Sequence, residues 1–274
     1  AAALAAAAVL AGLATGALTP ARLVTILLVL TVAAAVVLLA QSLTSPRTTA
    51  EERRRVREYI PLFVCSTAYW GLFAQTAGVF AVYSDQRLNR EIGGFTVPAS
   101  WTQSLNPFYI LLFSLPVAAA VARRAYRKHA VMGAGLALAG AGMFILLPWV
   151  GGGANSTPFL ALAGCVLCMS LGELLIGPTG MSSTGAYAPA AFRTRFSALY
   201  FLTMAIGTSL AGAASRLYDP ANPAAERAYL VVVGAVPVAI GATVAALARR
   251  RGRGKAEPYG VSAPPVTASV SPEM

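Results

Sequence analysis

Charge is scarce in this sequence. Asp, Glu, Lys and Arg make up 11% of its 274 residues, against about 25% in soluble chains. With 57% hydrophobic residues and a mean hydropathy of +0.66, that shortage excludes an ordinary water-soluble domain and describes a polytopic membrane protein. Histidine is nearly absent: His129 is the only one and lies in a basic stretch. A membrane enzyme would therefore lack a histidine beside any mid-span carboxylate. Cysteine is sparse too, and Cys165 and Cys168 form a C-x-x-C inside an apolar run with no alternating strand and helix pattern, which points to packing rather than redox or metal chemistry. No metal or other cofactor is expected. The net charge of +11 comes without a basic face or aromatic platform, so nucleic acid is not the expected partner.

What is present is apolar sequence in runs of about 20 residues, the length that crosses a bilayer. Spans are predicted near 1–18, 20–42, 56–83, 100–122, 130–150, 157–185, 193–216 and 227–249. The connections SPRTTAEERRRVRE, ARRAYRKH, APAAFRTRF and ARRRGRGK hold most of the Lys and Arg, whereas those at 84–95, 151–158 and 218–227 hold little or balanced charge. Basic and non-basic connections alternate from residue 43 onward, which places the basic ones and the carboxy terminus in the cytoplasm. Six spans with both ends inside make half of a twelve-helix transporter. The chain opens on AAALAAAAVL, without Met and directly in apolar sequence, as a cut piece would. Lacking the basic region of a signal peptide, this opening is predicted to be a membrane helix. The first two spans hold no charged residue except Arg22, so they read as a peripheral hairpin packed through small residues. The predicted organisation is a hairpin over 1–42, a basic linker over 43–55, a six-helix bundle over 56–250 and a disordered tail over 251–274.

Of ten acidic residues, Glu173 alone falls mid-span, with no Lys, Arg or His in any span interior. A carboxylate at the bilayer centre costs roughly 2.5–3.5 kcal/mol on insertion scales, so it is a functional candidate by default; the competing reading is a carboxyl that joins helices by hydrogen bonds. Pro178 lacks an N–H and, with Gly172, Gly177 and Gly180, is expected to kink this helix and free backbone groups. Glu173 and Gly177 share a face, which would let a solute approach over the glycine. A carboxyl held away from water favours its neutral form until a cation arrives, so one group can exchange a proton for an ammonium. In PASWTQSLNPFYI, Pro107 is expected to push Asn106 out of helical geometry, and Trp101 reads as an interfacial residue. Trp70, Phe73 and Gln75 lie mid-span, where the glutamine must face protein or water. Asp85 and Arg87 sit at an outer end, as a gate against another half of the protein or as a solvated loop.

Taken together, YWGLFAQ with VYSDQRL, PASWTQSLNPFYILLFSLPV and GELLIGPTGMSSTGAYAPAAFRTRFSALYFLTMAIG resemble the carboxy-terminal half of a proton-dependent oligopeptide transporter of the major facilitator superfamily, over roughly residues 51–250. The resemblance implies an all-α integral membrane fold, the carboxy-terminal six-helix bundle of a major facilitator preceded by a two-helix accessory hairpin. It implies proton-coupled uptake of di- and tripeptides by alternating access, with peptides, protons and membrane lipid as partners, in a bacterial cytoplasmic (inner) membrane. It gives a binding set of Glu173, facing the peptide amino terminus, with Asn106, Trp70 and Tyr200, and a gate or support set of Gln75, Asp85, Pro178 and Gly177. Departures from the family pattern are Ala74 where an acidic residue is usual, Gly177 in place of serine, and the absence of a lysine near Gly185. The amino-terminal bundle of the family is expected to be missing from this chain, and with it the basic residues that would hold a peptide carboxylate. The rival readings are a facilitator for another small cationic or nitrogenous solute, and a truncated membrane protein that does not transport.

Overall fold

The computed structural model describes Gly16 and residues 19–122 and 127–250. The expected first span at 1–18 falls outside these apart from Gly16, and the expected 251–274 tail falls outside entirely. Eight helices follow among the described residues: α1 (Pro20–Thr44), α2 (Ala50–Phe73), α3 (Val79–Gln86), α4 (Leu105–Ala122), α5 (Lys128–Gly142), α6 (Phe159–Tyr187), α7 (Arg193–Ala214) and α8 (Pro223–Arg250). Short 3-10 stretches extend α2 (Ala74–Thr76), lead into α4 (Ala99–Ser104) and extend α5 (Met143–Trp149).

Local sequence explains several starts. Thr49 caps α2 by accepting from the Glu52 amide while the Glu52 carboxylate takes the Thr49 amide, a capping box. Asn222 caps α8 by accepting from Ala224 N at 3.0 Å, with Pro223 as its first residue. Pro107 sits in the first turn of α4, where its missing N–H has no intrahelical partner to lose. Asn106 is accordingly helical, contrary to the non-helical geometry expected before a proline. Helix α6 runs unbroken for 29 residues through Pro178.

Among the described residues, six stretches are long and apolar enough to cross a membrane. The span expected at 56–83 is not one of them. Its amino-terminal turns are crowded with Glu and Arg, and the helix breaks after Phe73, where Gly78 leaves helical geometry (φ −100°, ψ −102°) before α3 resumes. Even so, α2 is central, with Tyr59, Leu62, Cys65, Tyr69 and Leu72 buried.

Small residues set the packing, as they do where lipid offers no hydrophobic drive between helices. A Cβ on Gly133 of α5 would fall 2.5 Å from the Gly241 carbonyl oxygen of α8, and one on Gly207 of α7 would fall 2.7 Å from the Thr67 oxygen of α2. Helices α5, α6 and α8 form the tightest part of the bundle. Helix α1 lies at the edge along α7, where Arg216 donates to Ala21 O at 3.1 Å. Helix α4 leans on α6 and buries none of its residues, leaving Leu111 and Leu115 about four-fifths exposed.

The loops gather at two ends in the alternation expected from charge. At one end β1 (Leu88–Asn89) pairs in parallel with β4 (Thr157–Pro158), and β2 (Glu91–Ile92) pairs with β3 (Phe95–Thr96) across Gly93 and Gly94, whose positive φ angles the tight turn requires. Here Arg87 donates to Pro220 O at 2.6 Å and to Glu226 Oε2 at 3.0 Å, and that oxygen also accepts from Gly151 N at 2.9 Å. Arg87 is therefore neither solvated nor free to gate against another domain, and Glu226, in the first turn of α8, is fully buried. At the basic end, Glu52 accepts from Ala190 N at 2.8 Å, which with the Thr49 cap holds its carboxyl below the usual range, and Arg127 donates to Ala248 O at 2.8 Å.

Candidate functional site

Glu173 sits at mid-length of α6, half-buried, and its neighbours come from two other helices. Asn106 of α4 donates from Nδ2 to Glu173 Oε2 at 2.9 Å and to Ser170 Oγ at 3.2 Å. Tyr69 of α2, fully buried, points its hydroxyl at the same Glu173 oxygen at 3.3 Å and at Met169 O at 3.2 Å. Both donors to the carboxylate are neutral, both meet Oε2, and no Lys, Arg or His among the described residues forms an ion pair with Glu173. Neutral donors favour and orient a carboxylate without cancelling its charge. The arrangement is thus a carboxyl group oriented through Oε2 by neutral donors, with no ion-pair partner among the described residues.

The space around it is open on one side. A Cβ on Gly177, one turn along α6, would meet nothing within 4 Å, and Pro178 and Met181 beyond it are exposed. Beside Asn106, and without Glu173 in its lining, a cavity of about 250 Å³ is bounded by Phe73, Thr76, Gln103, Leu162 and Val166. Phe73 stacks on Tyr69 with centroids 6.1 Å apart, so the cavity wall and the Glu173 donor share one aromatic cluster.

Of the expected binding residues, Asn106 and Glu173 are in direct contact. Trp70 is one ring removed, edge-on to Tyr69 at 5.6 Å and to Phe73 at 5.7 Å. Tyr200 lies against Gly180, two turns from Glu173, where a Cβ would meet its ring at 3.4 Å. Gln75 stands apart and is buried. Its Oε1 accepts from Tyr229 of α8 and its Nε2 reaches Ala211 O of α7 at 3.5 Å, so it joins three helices just where α2 breaks. Asp85 is exposed, 3.9 Å from Arg90. Sequence reasoning missed Tyr69 and Ser170. Tyr69 adjoins Trp70, and its fit to the buried face of Leu62, Cys65 and Leu72 is the signal that separates the two. Cys165 and Cys168 are free thiols packed beside Gly142 of α5.

A family model described as the POT family matches residues 15–230. The chain is 30% identical over 239 residues to an uncharacterized transporter, YclF, of Bacillus subtilis (strain 168), a match covering 85% of this chain and 48% of that one. It is 30% identical over 210 residues to a di-/tripeptide transporter of Lactococcus lactis subsp. cremoris, covering 72% of this chain and 41% of the relative. A crystal structure of peptide transporter POT in complex with sulfate superposes with a TM-score of 0.82 at 30% identity, over 92% of this chain and 51% of that one. A POT family transporter in complex with 5-aminolevulinic acid superposes with a TM-score of 0.79 at 25% identity, over 90% and 52%. The chain spans about half the length of the relatives it matches.

Proposed function

This chain belongs to the POT family of transporters, and from that premise we propose that it is the carboxy-terminal half of an importer whose twelve core helices, apart from the accessory hairpin, carry di- and tripeptides inward with protons. It is a multi-pass membrane protein and not an enzyme. In this reading residues 1–42 are an accessory hairpin, 43–55 a cytoplasmic linker, 56–250 the transporting bundle and 251–274 a cytoplasmic tail. The membrane is the bacterial inner membrane. An amino-terminal bundle closes the open face of α4 and α6, and the substrate site lies between the two.

One observation carries the proposal: the only mid-span carboxylate among the described residues is oriented by neutral donors, one turn from the open space at Gly177. Glu173 takes the peptide ammonium as an ion pair in the outward-open state, with Asn106 and Tyr69 holding its orientation. Protonation of the same carboxyl releases the ammonium on the inner side. Trp70 and Phe73 form the aromatic wall that keeps water from this exchange, and Tyr200 lines the approach along α6. Other primary amines would present the same ammonium, and a structural relative holds 5-aminolevulinic acid; competition by amines lacking a peptide bond separates that reading. The test is accumulation of labelled dialanine in proteoliposomes of the twelve-helix protein under an inward proton gradient. Accumulation is expected with the native residue and none with Glu173→Gln, which keeps size and hydrogen bonding but loses charge and titration. Equal accumulation by both overturns the proposal.

A further inference from the structure

A larger cavity, about 770 Å³, opens far from Glu173, at the basic end, between the first turns of α2 and α5, the end of α6 and the last turns of α8. Four cations, Arg54, Arg55, Arg127 and Lys128, line it against two carboxylates, Glu51 and Glu58. Glu51 is taken up by Arg54 at 2.8 Å and Arg55 at 3.5 Å, so the remaining field is positive. Arg127 is fixed through Ala248 O, and the Lys128 ammonium stands 5.8 Å over the ring of Tyr187. Facing this rim the wall is apolar. Val244, Leu247 and Ala248 recur at helical spacing on α8, Val244 and Ala248 buried and Leu247 44% exposed, and Pro61 of α2 closes the other side.

A positive rim above an apolar wall, at the ends of membrane-crossing helices, has the chemistry of a lipid rather than of a soluble anion. We propose that this cavity binds the phosphate headgroup of an anionic phospholipid, with one acyl chain leaving the cavity against the exposed Leu247 of α8. Guanidinium and ammonium groups supply charge-assisted hydrogen bonds to the phosphate, and a basic cluster at the membrane surface favours anionic lipid. The bound lipid would bridge the linker end of α2 and the last turns of α8, which both line the cavity. The site lies apart from Glu173, so it stands or falls independently of the peptide reading.

The test is native mass spectrometry of the purified protein in detergent with dioleoyl phosphatidylglycerol, dioleoyl phosphatidylcholine or inorganic phosphate. Retention of phosphatidylglycerol over phosphatidylcholine is expected. The Arg55→Gln with Lys128→Gln double variant should bind phosphatidylglycerol about thirtyfold more weakly, the effect of two basic residues at an anionic surface. The charge-preserving pair Arg55→Lys with Lys128→Arg should bind as the native protein does, which separates charge from folding. Equal retention of the two lipids, retention unchanged in the Gln variant, or displacement of the lipid by millimolar inorganic phosphate each overturns the proposal.

Discussion

Glu226, at the end of the bundle opposite the basic connections, offers the sharpest test of how the bundle is held together. Its side chain is 0% exposed and that of Arg87 is 7% exposed, and they meet at 3.0 Å. Removing one member of such a pair leaves the other charge buried without compensation, at roughly 3–5 kcal/mol. Glu226→Leu also deprives the Gly151 amide of its acceptor, so the upper part of that range applies. Arg87→Leu strands the carboxylate with that one amide donor and belongs at the lower end. A loss of 3 kcal/mol corresponds to a fall of roughly 6–12 °C in unfolding midpoint for a domain of this size. Replacing both residues by Leu removes both charges together, and well-packed apolar residues in place of a buried pair are often neutral or stabilising. The double variant should therefore unfold at a higher temperature than either single variant. The assay is the thermal unfolding midpoint of all four proteins in one detergent. If the two losses add, the ion pair is not an energetic unit and its part in joining α3 to α8 is refuted.

Tyr69→Phe removes a hydrogen-bond donor that orients the Glu173 carboxyl, so dialanine binding to the twelve-helix protein by calorimetry should weaken by up to about tenfold; unchanged affinity would contradict its place in the site. Gly133→Ala drives a Cβ into the Gly241 carbonyl at 2.5 Å and the Ala245 amide at 2.8 Å, and such overpacking costs roughly 1–3 kcal/mol, visible as a lower unfolding midpoint. Gly177→Ala, with nothing within 4 Å, should not lower it. For topology, cysteine introduced at Ala154 should react with an impermeant maleimide on intact cells and one at Arg193 should not; the reverse pattern inverts the orientation.

Much of the fold was written in one-dimensional pattern, because a bilayer demands long apolar helices and leaves charge to the loops. Helices α1, α6 and α8 could be placed to within a few residues for that reason. Glu173 stood out because a carboxylate at that depth has few structural uses. What escaped detection depended on distant partners. Arg87 and Glu226 each look like ordinary loop charge, and only the fold brings them together across 139 residues. Tyr69 is one aromatic among several until α6 supplies the carboxylate it faces. At Asn106 the following proline predicts a broken backbone, but the asparagine stays helical and reaches Glu173 by its side chain. The break in α2 depends on Gly78, and a lone glycine in an apolar run carries too little local signal to announce it.

The central claim is that Glu173 receives the amino group of a peptide. Dialanine and N-acetyl-dialanine are to be titrated into the native twelve-helix protein and its Glu173→Gln variant, and the four dissociation constants compared. Each single change removes one partner of the same ion pair, so each should weaken binding by roughly ten- to a thousandfold. The second change should then cost little once the first is made, a strongly non-additive cycle. If the two losses add, the carboxylate does not contact the amino terminus, and Glu173 joins helices instead of binding substrate.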